Sequence, residues 1–239
     1  FMKTIFSDYI STKVQDAFES EIENDKNKCV PFITFSREYG CGGDHITQKL
    51  CSVLSSCADS DGKLCEWKRI NHEVVAAAAE EIGVPAEIVK EMTYQKIDDY
   101  FVSSFFNFSF SKYSKPSIAT VRNAIARVIA KFAQEGRVII LGRGGASITR
   151  HYENSIHIRL HAPKEWRVKQ VAEREKITIE KAKILTQKID SERYALRNYF
   201  EGAASDKTIF DVIYNSMTLS EDEIIESILA IARKKGFII

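Results

Sequence analysis

No stretch of the 239-residue sequence approaches the roughly eighteen consecutive apolar residues that a membrane-spanning helix needs. Net charge is almost absent too. The 34 Lys and Arg oppose 33 Asp and Glu, leaving +1, so the broad basic excess of a nucleic-acid-binding protein is missing. Any phosphate site must be a local cluster of positive charge. The five cysteines, Cys29, Cys41, Cys51, Cys57 and Cys65, form no C-x-x-C pair, and no histidine stands at zinc-site spacing. An odd number of scattered thiols reads as reduced cysteine, the state expected in the cytoplasm. Cys41 is expected to be sensitive to oxidation. The opening FMKTIFSDYI is interrupted by Asp8 and leads into no apolar core, unlike a secretory leader. No internal repeat is evident. With 44% hydrophobic and 28% charged residues, the expectation is a soluble, cytoplasmic, globular chain of one fairly large domain.

What is present is organised around residues 32–50, FITFSREYGCGGDHITQKL. Phe32, Ile33, Thr34 and Phe35 read as a buried strand by length and β-branched content. Gly40, Gly42 and Gly43 follow within four residues, and Ile46, Leu50, Val53 and Leu54 recur at helical spacing, so a helix begins near Asp44. A strand, a glycine-rich turn and a helix N-terminus together aim free backbone N–H groups at an anion. The pattern departs from the usual G-x-x-x-x-G-K-[ST] loop. With Gly42 as second glycine, Arg37 takes the place of the first, Gly43 that of the lysine, and Asp44 and His45 stand where small or hydroxyl residues are expected. A turn without any ligand fits these residues as well.

The segment S-R-E-Y-G-C-G-G after an apolar strand resembles the opening of the cytidylate kinase-like family, relatives of the nucleoside monophosphate kinases that typically begin SREYGSGG and lack the loop lysine. A second stretch, V-I-I-L-G-R-G-G at residues 138–145, is similar to the family's strand followed by Gly-Arg-Asp. Arg143 matches the arginine that holds the monophosphate there, while Gly144 replaces the aspartate. A third, D-V-I-Y-N-S-M-T-L-S-E-D-E from Asp211, resembles the family's closing strand and helix cap.

Taken in order, the chain is expected to open with an amphipathic helix over residues 6–22 that lies on the domain surface or makes a dimer contact. Residues 1–28 form this extension, and 29–239 one kinase-like domain. A weak strand is expected around Lys63–Trp67, then a helix from His72 to Ile82 capped by Asn71 and ended by Gly83. Pro85 opens a short helix through Met92. The aromatic segment Tyr94–Lys115 suits packing under a cover, a wall for stacking a nucleobase, or a dimer surface. With its flanks, about residues 67–116, it corresponds by resemblance to the acceptor-binding insertion. Ser117–Gln134 reads as a helix ended by Gly136, Arg137–Leu141 as a buried strand and Ser155–Leu160 as a third strand. Pro163 starts a helix and Thr178–Phe200 reads as another. Phe210–Asn215 is a fourth strand, and Ser220 with Glu223 forms a capping box for a last helix to Lys235.

Strands alternating with helices imply a parallel sheet covered on both faces. The expected fold is an α/β, three-layer P-loop kinase-like one, with helices on both faces and a helical lid over about 167–200. In such sheets ligands sit beyond the carboxyl ends of the strands, where both glycine loops fall. The loop from Ser36 through Arg37, Tyr39, Gly40, Cys41, Gly42, Gly43, Asp44 and His45 would cradle the donor phosphates. Arg143 would clamp the acceptor with its planar fork. By resemblance Arg167, Lys188, Glu192, Arg193 and Arg197 belong to the lid, with Arg193 and Arg197 catalytic; Arg37, close enough in sequence to swing in, is the expected catalytic substitute for the missing lysine, and no protein metal cluster is expected. A solvated helix face fits the same lid charges. The resemblance implies ATP and Mg2+ as cofactors and transfer of the γ-phosphate of ATP to a nucleoside monophosphate (CMP or dCMP) or another small acceptor. It implies nucleotides as partners rather than nucleic acid or membrane. Two alternatives stay open: a nucleotide-binding regulatory protein on a catalytically decayed kinase fold, and an interaction protein using the aromatic segment.

Overall fold

The computed structural model describes residues 30–94, 116–201 and 209–239. The expected N-terminal helix and the aromatic segment after Tyr94 lie outside them. In chain order the elements are β1 (Phe32–Arg37), α1 (Gly43–Ser56), β2 (Lys68–Ile70), α2 (Glu73–Ile82), α3 (Ala86–Tyr94), α4 (Ile118–Glu135), β3 (Val138–Leu141), α5 (Gly145–Ile148), β4 (Ser155–His161), α6 (Lys164–Glu175), α7 (Ile179–Glu201), β5 (Val212–Asn215) and α8 (Glu221–Lys234).

The five strands form one parallel sheet in the order β2-β3-β1-β4-β5. The apolar strands need cover on both faces, and the alternation of side chains along β1 divides that cover. Ile33 and Phe35 pack with Ile46, Leu50 and Leu54 of α1 and Ile224 and Ile228 of α8. Phe32, with Ile140 of β3, packs on the other face against α2, α3 and α4 through Val74, Val89 and Ile125. Each of these fully buried aliphatic side chains contributes about 1.5–3 kcal/mol. Consecutive residues serving opposite layers make this an α/β, three-layer fold with α6 and α7 as a lid. The order places β1 at the centre, with β3 and β4 in register on either side, so the loops after all three open on one edge.

Four local expectations are corrected. The edge strand is Lys68–Ile70, not Lys63–Trp67: Trp67 instead donates its backbone N–H to Ser55 Oγ, and Leu64 makes only an isolated antiparallel bridge to Ala58. Asn71 does not cap α2. His72 holds the cap position, while the Glu73 carboxylate accepts the Asn71 N–H at 2.7 Å. Phe210 precedes β5, because pairing with β4 begins at Val212. Cys41 is buried, 2% exposed, and burial pushes its thiol up to about 11, which keeps it protonated and unreactive rather than poised for oxidation. The capping box is present: Ser220 Oγ accepts from Glu223 N–H, and the Glu223 carboxylate accepts from Ser220 N–H.

Candidate functional site

The phosphate-loop candidate leaves β1 at Arg37 and re-enters helix at Gly43. Gly42, left-handed at φ 71, caps α1 with no side chain bonded to the helix end, so the first-turn amides face outward as an anion site requires. The Asp44 carboxylate turns aside to Arg69 at 3.0 Å and Asn71 at 3.4 Å. His45 is occupied by Glu221, at 2.5 Å. The oxygen of Glu221 nearest the loop lies 3.4 Å from where a Cβ on Gly42 would stand.

A clasp from the lid holds the loop's first half. The Tyr39 N–H donates to Asp190 of α7 at 2.8 Å, and the Tyr39 carbonyl accepts from Arg167 of α6 at 2.9 Å. Arg167 also donates to Asp190 at 2.6 Å and to the Ala162 carbonyl at 3.0 Å. Gly40 lets α6 approach, since a Cβ there would stand 2.8 Å from the Arg167 carbonyl oxygen. The Tyr39 ring lies under the guanidinium groups of Arg174 and Arg193, 5.0 and 5.4 Å from its centroid, and its hydroxyl donates to Glu175. Arg193 further donates to the Arg37 carbonyl at 3.2 Å.

The second loop, after β3, is a run of three left-handed residues: Gly142 (φ 79), Arg143 (φ 58) and Gly144 (φ 77). An L-residue in this region costs about 1–2 kcal/mol, and such strain concentrates at functional positions. Arg143 is 8% exposed.

The two loops and α7 enclose a cleft of about 360 Å³, within the range of small-molecule sites. Among the described residues, six cations line it: Arg37, Arg143, Arg159, Lys164, Arg193 and Arg197. They face two carboxylates, Glu38 and Asp190, both of which are paired with Arg167. A lining so rich in cations suits a ligand carrying negative charge.

The structure thus brings Ser36, Arg37, Arg143, Arg193 and Arg197 together around one cavity. Tyr39 to His45 stand beside it as loop and helix start. Arg167 is buried behind the loop as the clasp, Lys188 is exposed on α7, and Glu192 is half-buried on it; none of these three lines the cleft. Sequence reasoning passed over Asp190, Arg159, Lys164, Gln187, Ser191 and Tyr194. For α7 a signal exists: Gln187, Asp190, Ser191, Tyr194 and Arg197 follow i, i+3, i+4, i+7, i+10 spacing, so one face points into the cleft. No comparable pattern marks Arg159 and Lys164.

Among the described residues, no group of three or more His, Cys, Asp and Glu could hold a metal ion, and no helix is long and apolar enough to cross a membrane. A comparison with curated proteins finds no match. Among solved structures, an uncharacterised protein from Eubacterium ventriosum superposes with a TM-score of 0.57 at 18% identity, covering 86% of this chain and 99% of its own. Shikimate kinases from Bacteroides thetaiotaomicron (85% and 97% covered) and Acinetobacter baumannii (87% and 95%) each align with a TM-score of 0.45 at 12% identity. The model of the cytidylate kinase-like family matches residues 32–218. This span holds both glycine loops, the arginine cleft and the lid, and the chain belongs to the cytidylate kinase-like family, as a nucleotide kinase-like protein.

Proposed function

We propose that this protein transfers the γ-phosphate of ATP to a nucleoside monophosphate, CMP or dCMP by family likeness, or to a similar small phosphorylated acceptor. One observation carries the reading: Arg37, Arg143, Arg193 and Arg197 line one cleft beyond the carboxyl ends of β1 and β3, next to a helix N-terminus that no side chain caps. Phosphoryl transfer asks a protein mainly to align two oxygens and to neutralise charge spreading over the phosphoryl group between them. The amides of Gly42, Gly43 and Asp44 would hold the donor's phosphates. Arg143 would hold the acceptor phosphate through two parallel hydrogen bonds, the geometry its planar group favours. Arg193 and Arg197, reaching across from the lid, would meet the charge that develops during transfer, and closure of α7 would exclude water from it.

Magnesium commonly binds through phosphates, waters and one or two carboxylates. Asp44 supplies an exposed oxygen donor at the position usually held by a hydroxyl, so the residues present fit an ion that arrives with the nucleotide. The ion would shield the phosphate charge. His45, occupied by Glu221, would take no part.

A second reading, a nucleotide-binding regulatory protein without turnover, draws on Gly43 in place of the lysine and on the Asp190 carboxylate bound to a loop amide. Incubation with magnesium-ATP and a panel of nucleoside monophosphates separates the two. The kinase reading predicts labelled diphosphate from at least one acceptor, CMP first, and none from the Arg143→Ala protein. Nucleotide-dependent thermal stabilisation without any transfer favours the second reading.

A further inference from the structure

Gly43 occupies the place of the usual loop lysine, and the space above its Cα is filled. A Cβ there would stand 3.1 Å from Arg37 Cγ and 3.6 Å from both Cβ and Cδ of the same side chain. The backbone of Gly43 is ordinary helix with no positive φ, so conformation alone would admit any residue. Any side chain here would have to push Arg37 aside. From Gly43 the arginine runs on to the second loop, where a Cβ on Gly142 would stand 2.0 Å from Nη1 and 3.2 Å from Cζ. Two glycines, one from each loop, therefore form a groove for a single side chain. Its stem lies on the start of α1 and its guanidinium lies over the turn that carries Arg143. Arg193 fixes the near end by donating to the Arg37 carbonyl.

We propose that Arg37 is the loop cation relocated. Its guanidinium would take the β- and γ-phosphate oxygens of a nucleoside triphosphate, its path running through the space that Gly43 and Gly142 leave open. This rests on the reading above for where the donor lies: with donor phosphates on the Gly42–Asp44 amides and the acceptor at Arg143, the transferring group passes between them, where Arg37 lies. Arginine replaces lysine here with a gain in geometry, because one planar fork spans two phosphate oxygens while an ammonium offers a point charge. The cost is bulk, which the two glycines accommodate.

Binding, not turnover, tests the assignment. Calorimetric titration of ATP and AMP into the wild-type protein, Arg37→Ala and the double variant Arg37→Ala/Gly43→Lys compares the cation removed with the cation restored at the usual position. Removing a charge-assisted pair of hydrogen bonds should weaken ATP about 10–100-fold and leave AMP, which lacks the β- and γ-phosphates, within about twofold. The double variant should recover most of the loss. Arg37→Gln, which keeps the stem on Gly43, repeats the first arm should the alanine variant fold poorly. Wild-type ATP affinity in both single variants overturns the proposal, as does a folded double variant no better than Arg37→Ala. A wild-type chain that binds ATP yet transfers phosphate to no acceptor defeats the kinase reading alone, and the same titrations still decide the role of Arg37.

Discussion

His157 gives a pH dependence whose size follows from the structure. It lies on β4 beside the central strand, 5% exposed, with Nδ1 2.7 Å from Thr34 Oγ1 and Nε2 3.0 Å from Ser155 Oγ. Ser155 spends its own proton on the Tyr152 carbonyl at 2.6 Å, so its oxygen must accept from Nε2–H. In the neutral ring Nδ1 is then the acceptor for the Thr34 hydroxyl. Burial pushes the pKa down to about 4; Asp211 and a hydrogen bond with the Thr149 backbone work against this, and Lys235 adds to it. The unfolded chain takes up a proton near the ordinary value of about 6.5 while the folded chain refuses it. Stability from this group is therefore complete above about pH 6.5 and falls as the pH drops towards 4. The whole interval amounts to about 3 kcal/mol, and about 2 kcal/mol is lost by pH 5. Urea unfolding at pH 7.5, 6 and 5 of the wild-type protein and of His157→Gln checks this, since other titrating groups are common to both. The wild type should lose about 2 kcal/mol more than the variant between pH 7.5 and 5. Equal losses in the two proteins would refute the buried neutral ring.

Three further outcomes follow from single contacts. Gly144→Ala would place a Cβ 2.5 Å from the Phe200 ring at a φ of 77, and denaturant titration should show a loss of at least about 1 kcal/mol. Ser220→Ala removes the cap of α8 and should lower stability by about 1 kcal/mol with an unchanged denaturant slope. Asp190→Ala frees the Tyr39 amide from its acceptor, so hydrogen exchange at Tyr39 should accelerate, whereas Lys188→Ala, on the exposed side of the same helix, should leave it unchanged.

Most of the architecture was written in hydrophobic period. β1 and β3 hold short apolar runs too short for helices, β4 alternates polar and apolar residues, and α4 repeats Val121, Ile125, Val128 and Ile129 at helical spacing, so each declares its type locally. β2 does not. It is three residues long with only Ile70 buried, and it becomes a strand because β3 offers it an edge. The two glycine loops were legible from composition, as was Arg143. The path of Arg37 was not: its proximity to Gly142 depends on the parallel pairing of β1 with β3, which joins residues more than a hundred positions apart. The clasp of Arg167, Asp190 and Tyr39 is likewise a product of three separate segments. Arg167, which sequence grouped with the lid cations, points into protein instead of the cleft.

An acceptor site beside a phosphate loop is the central proposal for the cleft. The most direct measurement is initial-rate kinetics of phosphoryl transfer from magnesium-ATP to CMP, or to whichever monophosphate proves best, for the wild type and Arg143→Ala. The account predicts that the variant's KM for the acceptor rises about 10–100-fold, the loss of a bidentate charged contact, while its KM for ATP stays within about twofold. A variant with wild-type acceptor KM, or one in which only the ATP constant changes, would contradict it.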